Sequence, residues 1–458
     1  MSDLIVIGGG LAGSEAAYQA AKRGISVAIY EMRPARQTEA HKTGLLGELV
    51  CSNSLRSESL SNGHGLLKRE LSTAGSLVME AAMASQIPGG SALAVDRERF
   101  AAYITGRLTM HPLITIIRSE LDCVPDGVCI LATGPLTSPA LSGWLMDTLG
   151  AGHLYFYDAI APIIDATSID YEKVFFASRY GKGGDDYLNC PMNEREYGIF
   201  YDALVEADKV MARDFEDERV FEGCMPLEAM ALRGRDTIRF GPLKPVGLRD
   251  PRTGKEPFAV VQLRPENEDK TAFNMVGFQT RLRQPGQKMV FGLIPGLEKA
   301  EFLRYGSVHR NTFIDSPKVL NDDLTLKINR KADGMKNGSE NGSEYEMQVG
   351  KTSGNIYVAG QLSGVEGYLE STAMGLLAGI YASRRLRGLP LVTPSENTCH
   401  GALVRYITTG KSGSFQPSNI NFGILPPLEK NIRDKAKKKL AMAERALRQW
   451  EMFVERAD

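Results

Sequence analysis

Within residues 2–31, "SDLIVIGGGLAGSEAAYQAAKRGISVAIYE", the hydrophobic pattern changes period twice. An unbroken apolar run at Leu4 to Ile7 gives way to helical spacing from Leu11 to about Arg23, and a second apolar run follows from Ser26 to Tyr30. This predicts strand, helix, strand: the opening of a parallel sheet buried on both faces. The apolar run ending "CILATG" at Gly134 predicts a further return of the chain to that sheet. So does "GNIYVAGQLSGVEGYLESTAMGLLAGI" at 354–380, read as a short strand, a glycine-studded turn and a helix rich in small residues.

Between about Ala151 and Lys331 this rhythm lapses. "FAVVQLRP" and "KMVFGLIPG" read as strands and "EREYGIFYDALVEADKVMARDF" as an amphipathic helix, which makes the middle an inserted α+β domain. Residues 332–347, "ADGMKNGSENGSEYEM", are polar and nearly free of core residues, so a mobile loop is expected. The tail from Leu428 to Asp458 is helical by composition and starts with Lys430, Arg433, Lys435, Lys437, Lys438 and Lys439. The fold class is therefore α/β: a Rossmann-like domain in two parts (1–150 and 348–427), an insert at 151–331, a loop at 332–347 and a basic helix at 428–458.

Composition removes several classes of function. The 458 residues are 43% hydrophobic and 24% charged, as in ordinary globular proteins, and no apolar run approaches the roughly 20 residues that cross a bilayer. With no secretory signal order at the start, a cytoplasmic location is expected. The net charge of −1 argues against bulk attraction to nucleic acid and leaves room for a local basic face. Six cysteines, at 51, 123, 129, 190, 224 and 399, include no CxxC pair, so thiols and no metal site are expected.

Chemistry concentrates at the glycines. Gly8, Gly10 and Gly13 fit GxGxxG at a strand-to-helix turn, where Gly8, Gly9, Gly10, Leu11 and Ala12 bring backbone N–H groups to a pyrophosphate. Glu31, ending the second strand, is placed to accept from the ribose hydroxyls of an adenosine. The motif alone fits FAD or NAD. The late block, with Gly360, Gln361, Gly364 and Gly367 before a helix N-terminus, decides for tightly held FAD, because no second GxGxxG marks a nicotinamide domain and NADH or NADPH would visit only transiently.

Two thiols stand apart. Cys51 lies in the polar stretch "GELVCSNSLRS" with Arg56 nearby, and Cys224 in the turn "FEGCMPL", followed by Arg233, Arg235, Arg239, Lys244 and Arg249. Cationic surroundings lower a thiol pKa, and the thiolate is the nucleophile. Cys123, Cys129 and Cys190 read as quiet structural thiols, Cys129 because its strand is apolar.

The blocks "VIGGGLAGSEAA", "ELVCSNSLRS", "FEGCMPLEAMA", "RFGPLKPVGL", "VGFQTRLR", "RYGSVHRNTF", "AGQLSGVEGYLESTAMGLLAG" and "FQPSNINFGILPPL" resemble the folate- and flavin-dependent tRNA uracil-5 methyltransferases from residue 5 to about 428. The polar stretch at 332–347 departs from that pattern as extra loop. The resemblance implies methylation of C5 of a T-loop uridine in tRNA, with 5,10-methylenetetrahydrofolate as one-carbon donor and NAD(P)H as reductant through FAD. No membrane and no obligate protein partner are implied. It makes Cys224 the thiolate that adds at C6 and Cys51 the base that removes the C5 proton, or the reverse. His309 becomes a plate for the folate pterin, and Arg233, Arg235, Lys437, Lys438 and Lys439 become contacts for tRNA. Three rival readings are a plain FAD-dependent NAD(P)H oxidoreductase, a flavoprotein modifying the tRNA wobble uridine, and a flavin-stabilised RNA-binding factor in which the thiols are idle.

Overall fold

In a computed structural model of the chain, the described residues are all except 1, 39, 150–153, 182–183, 210–224, 267–268, 328–354, 410–414, 416, 430–431 and 458; of 151–160 and 307–311 only the backbone is described. Cys224, the 332–347 stretch and Lys430 lie outside the described residues.

The four apolar runs read from the sequence join a fifth strand that was not anticipated, Ile114–Ile117, in one parallel sheet. In spatial order its strands are Ile356–Val358, Val128–Leu131, Leu4–Ile7, Val27–Tyr30 and Ile114–Ile117. Leu4, Val6, Val27, Ile29, Ile130 and Leu131 are all fully buried, as expected for strands covered on both faces. From Leu4–Ile7 the chain first adds a strand on one side, and later Val128–Leu131 on the other. That reversal opens a crevice at the carboxyl ends of the strands, where Gly8 begins.

The helix Leu11–Lys22 packs against the late helix Tyr368–Leu386 at backbone contact. A Cβ on Gly375 would lie 2.2 Å from the Ala12 carbonyl oxygen, and one on Gly379 2.5 Å from that of Ala16. The small residues of "MGLLAGI" are therefore what lets residues from the two ends of the chain close on one another.

A second, antiparallel sheet of six strands runs in the order Phe175–Phe176, Leu188–Met192, Ala259–Pro265, Ala272–Met275, Ile163–Asp165, Phe302–Arg304. It has its own core, centred on Phe273, Phe278, Phe291, Leu188 and Val261. "FAVVQLRP" contributes a strand, but "KMVF" does not: it belongs to the helix Gln284–Phe291. Its buried positions, Gln287, Val290 and Phe291, have helical spacing, and Pro285 suits a first helical turn. The tail helix spans Lys435–Ala457, starting later than Leu428 because Asp434 accepts the N–H groups of Ala436 and Lys437 and caps it there. Trp450 anchors that helix, fully buried, with its indole N–H donating to the Glu70 carbonyl at 2.6 Å and its ring stacked on His400. Among the described residues no helix is long and apolar enough to cross a membrane.

Candidate functional site

The crevice at the strand ends is a cavity of about 410 Å³, within the usual range of ligand sites. Gly8, Gly9, Gly10, Leu11 and Ala12 form part of its wall, Gly360, Gln361 and Gly367 another part, and Cys51 a third. Three segments far apart in sequence thus face one space.

Each glycine of the first turn has a different task. Gly8 sits at φ +104°, and a Cβ there would meet the Ala132 carbonyl oxygen at 2.5 Å. Gly13 lies off the cavity wall and lets helix and strand approach: its Cβ would be 1.8 Å from the Gly8 oxygen. Gly10 has open space where a Cβ would stand, so the backbone there is accessible. It precedes a helix with no acidic residue in its first turn, which leaves the positive end of the helix dipole unneutralised. Open backbone N–H groups at such an end fit the pyrophosphate of a dinucleotide.

Glu31 lines the cavity at 5% exposure. Its carboxylate accepts from the Gly9 N–H at 2.8 Å, the Arg33 N–H at 3.0 Å, Arg33 Nε at 2.9 Å and Arg33 Nη2 at 3.2 Å. Four bonds are about what two carboxylate oxygens accommodate, so a ribose diol would share or displace the Arg33 bonds. Burial works to raise this carboxyl, but the Arg33 bonds and charge with the two backbone donors hold it below the ordinary value. Arg33, also bonded to Glu48 at 3.0 Å, was not foreseen from sequence.

In the late block Gly360 and Gly367 lie on the wall at φ +75° and +121°, and Gln361 donates to Glu366 at 2.9 Å. Gly364 is off the wall, where a Cβ would strike the Phe415 ring at 2.5 Å. Across the cavity, burial and the nearby Arg56 and Lys68 push His64 down to about 3, so its imidazole is neutral.

Cys51 is partly exposed. Its loop is held by residues of two helices and of the second sheet. Tyr368, the first residue of the late helix, places its hydroxyl oxygen to accept from the Cys51 N–H at 2.7 Å and the Ser52 N–H at 3.0 Å. Arg97 donates to the carbonyls of Leu49 at 2.9 Å and Cys51 at 3.3 Å while paired with Glu266. Arg264, on the second sheet, donates to Ser52 Oγ at 2.7 Å and Asn53 Oδ1 at 2.6 Å, and Asn53 donates back to the Pro265 carbonyl at 2.8 Å. Sequence reading missed all three partners. Only Tyr368 had a local signal, its place directly after Gly367 at the turn.

The other described thiols differ. Cys129, Cys190 and Cys399 are buried, and burial pushes Cys129 up to about 12; Cys123 is exposed. Just beyond Cys224, the Leu227 N–H donates to the carbonyl of Gln279, a cavity-lining residue, at 2.7 Å. Arg233 and Arg235 are exposed, and the Arg235 guanidinium lies 5.6 Å from the Tyr201 ring centroid. His309 lies in the strand Ser307–Phe313, in register with Asp158; its side chain is outside the described part. Lys437, Lys438 and Lys439 are exposed on the first turns of the tail helix. Among the described residues no cluster of His, Cys, Asp or Glu is arranged to hold a metal ion.

A family model described as glucose inhibited division protein A matches residues 3–350 and 343–390. The chain is 53% identical over 452 residues to the methylenetetrahydrofolate–tRNA-(uracil-5-)-methyltransferase TrmFO of Moorella thermoacetica, covering 98% of each chain. It is 54% identical over 453 residues to the protein of the same name from Aquifex aeolicus, covering 98% of this chain and 96% of the relative. In fold it is similar to the crystal structure of Aquifex aeolicus GidA, with a TM-score of 0.68 at 16% identity over 100% of this chain and 74% of that one. The chain belongs to the glucose inhibited division protein A family and, within it, to the methylenetetrahydrofolate–tRNA-(uracil-5-)-methyltransferases.

Proposed function

We propose that this chain methylates C5 of a uridine in the T-loop of tRNA, with 5,10-methylenetetrahydrofolate as one-carbon donor and NAD(P)H as the source of electrons through bound FAD. The observation that carries the reading is that Cys51 opens on the same cavity as the two glycine blocks, which puts a thiol beside a dinucleotide cradle. A plain oxidoreductase needs the cradle and has no use for the thiol.

Gly8 to Ala12 and the Gly360–Gly367 turn would hold the pyrophosphate and the flavin end, with Glu31 at the ribose. FAD, when bound, supplies the electrons that turn a transferred methylene into a methyl group. The remaining chemistry belongs to side chains. Uracil C5 is a poor nucleophile until a thiolate adds at C6, which pushes electron density to C5 and lets C5 bond to the donor's methylene carbon; a second group then removes the C5 proton, and the C6–sulfur bond breaks as the methylated uracil regains its 5,6 double bond. We assign the addition to Cys224 and the proton to Cys51, which the neighbouring arginines favour as thiolate. Arg233, Arg235 and the exposed lysines of the tail helix offer phosphate contacts, and His309 a surface for the pterin. With tRNA as substrate, the reaction belongs in the cytoplasm.

The test is methyl incorporation into tRNA with methylenetetrahydrofolate against S-adenosylmethionine, followed by trapping on RNA carrying 5-fluorouridine. Incorporation from the folate donor alone, covalent trapping by wild type and by Cys51→Ala, and no trapping by Cys224→Ala are expected. Trapping by Cys224→Ala but not by Cys51→Ala would exchange the two roles. Full methylation by both variants would overturn the two-thiol mechanism.

A further inference from the structure

Three guanidiniums, from Arg97, Arg264 and Arg304, surround the Cys51 loop, and one carboxylate, Glu266, lies among them. Arg97 comes from the first turn of the helix Arg97–Thr109, Arg264 and Glu266 from the strand Ala259–Pro265 and its end, and Arg304 from the strand Phe302–Arg304. The side chains of Arg97 and Glu266 are 16% and 8% exposed, and Arg264 is 6% exposed. Arg97 reaches the Cys51 carbonyl at 3.3 Å and Arg264 the adjacent Ser52 Oγ at 2.7 Å, and negative charge at Cys51 would favour the charged form of all three guanidiniums. Among the described residues, the phenols of Tyr368 and Tyr187 also face this cluster. Burial keeps the Tyr368 phenol protonated. The positive charge therefore exceeds the negative in a region largely closed to water, where attraction between charges is least screened.

Arg304 is the telling member. Its Nε and Nη2 are buried without a hydrogen-bond partner, and burial followed by repulsion from Arg97 brings its guanidinium down to about 10. A cation placed there without a carboxylate of its own costs stability. An anion at Cys51 offsets that cost.

We infer that Arg97, Arg264 and Arg304 form a cationic cradle, only partly balanced by Glu266, that fixes the Cys51 loop and holds its sulfur as the thiolate. Arg97 and Arg264 do this through bonds to the loop as well as through charge; Arg304 acts through charge alone. They are positioning residues, since what they act on is the thiol. The inference rests on the proposed role of Cys51 as proton acceptor: a base must be unprotonated when the C5 proton leaves, and an ordinary thiol, with a pKa of about 8.5, is mostly protonated at neutral pH.

The experiment is the pH dependence of Cys51 alkylation by iodoacetamide, followed by mass spectrometry on the full chain as purified. Wild type should reach half-maximal rate below about pH 8.5. Arg304→Gln removes a guanidinium whose Nε and Nη2 have no hydrogen-bond partner, so the fold should survive, and the midpoint should rise by roughly one unit. Arg97→Gln should raise it likewise. Arg97→Lys should leave the midpoint near wild type and lower kcat roughly 100-fold with little change in KM for tRNA, because charge is kept while the two-carbonyl grip is lost. A wild-type midpoint at or above 8.5, or an unshifted Arg304→Gln, would overturn the cradle. Failure of the underlying reading looks different: Cys51→Ala would then methylate tRNA at full rate whatever the alkylation profile.

Discussion

The hydroxyl oxygen of Tyr368 lies 2.7 Å from the backbone nitrogen of Cys51, joining residues 317 positions apart, and it accepts the N–H of Ser52 as well. Replacing Tyr368 with Phe removes an acceptor shared by two N–H groups of a partly buried loop. A loss of about 1–3 kcal/mol in unfolding free energy is expected, read by denaturant titration. An unchanged midpoint would mean that other groups hold the loop.

Glu31→Ala should release flavin during purification, because Gly9 loses the acceptor that fixes its N–H and Arg33 is left buried with only Glu48 as carboxylate partner. Full flavin content in the variant would refute the assignment.

The same carboxylate gives a pH prediction. The folded-state pKa of Glu31 lies below the ordinary 4.5, so its stabilisation is fully present above pH 4.5 and is lost as pH falls through the lower folded value. Wild type should therefore lose stability on acidification below pH 4.5 more steeply than Glu31→Gln, as read by thermal melting. Parallel profiles would contradict this.

Gly375→Ala should cost roughly 1–3 kcal/mol by overpacking, since the new Cβ would lie 2.2 Å from the Ala12 oxygen, and should weaken flavin retention because Ala12 lines the cavity. Gly106→Ala, in a helix with open space at the Cβ position, supplies the contrast and should be neutral or stabilising by about 0.4–1 kcal/mol. Equal effects at the two sites would sink the packing argument.

Charge reversal at Lys437, Lys438 and Lys439 should weaken tRNA binding and flatten its dependence on salt. Acidic residues near a helix N-terminus favour the helix, so weaker binding would not be a by-product of unfolding. An unchanged slope of log affinity against log salt would assign these lysines to solvent.

What the sequence made legible was local. The glycine turns, the strands beside them and the small-residue helix each write their chemistry into a single window, and four strands of the sheet come from those windows; the fifth, Ile114–Ile117, has no glycine turn to mark it. "KMVF" misled because a short apolar run carries no period of its own. The surroundings of Cys51 were hidden for another reason: Arg97, Arg264 and Tyr368 reach its loop from 46, 212 and 317 positions away, and no window contains them together. Glu31 was found by its place at a strand end, but its saturation by Arg33 depends on side-chain geometry that spacing does not encode.

The backbone contact between the helices Leu11–Lys22 and Tyr368–Leu386 has a consequence in time. During synthesis, at roughly 5–20 residues per second, the first glycine turn leaves the ribosome long before the helix that must close on it. Strand Ile356–Val358, at the edge of the parallel sheet, is equally late. The nascent N-terminal segment thus waits with an uncovered helix face and an open sheet edge while the second sheet and its core are made. Nucleotide capture becomes a late event of folding, and a chain that stalls before residue 386 cannot complete the cradle, however intact its opening motif.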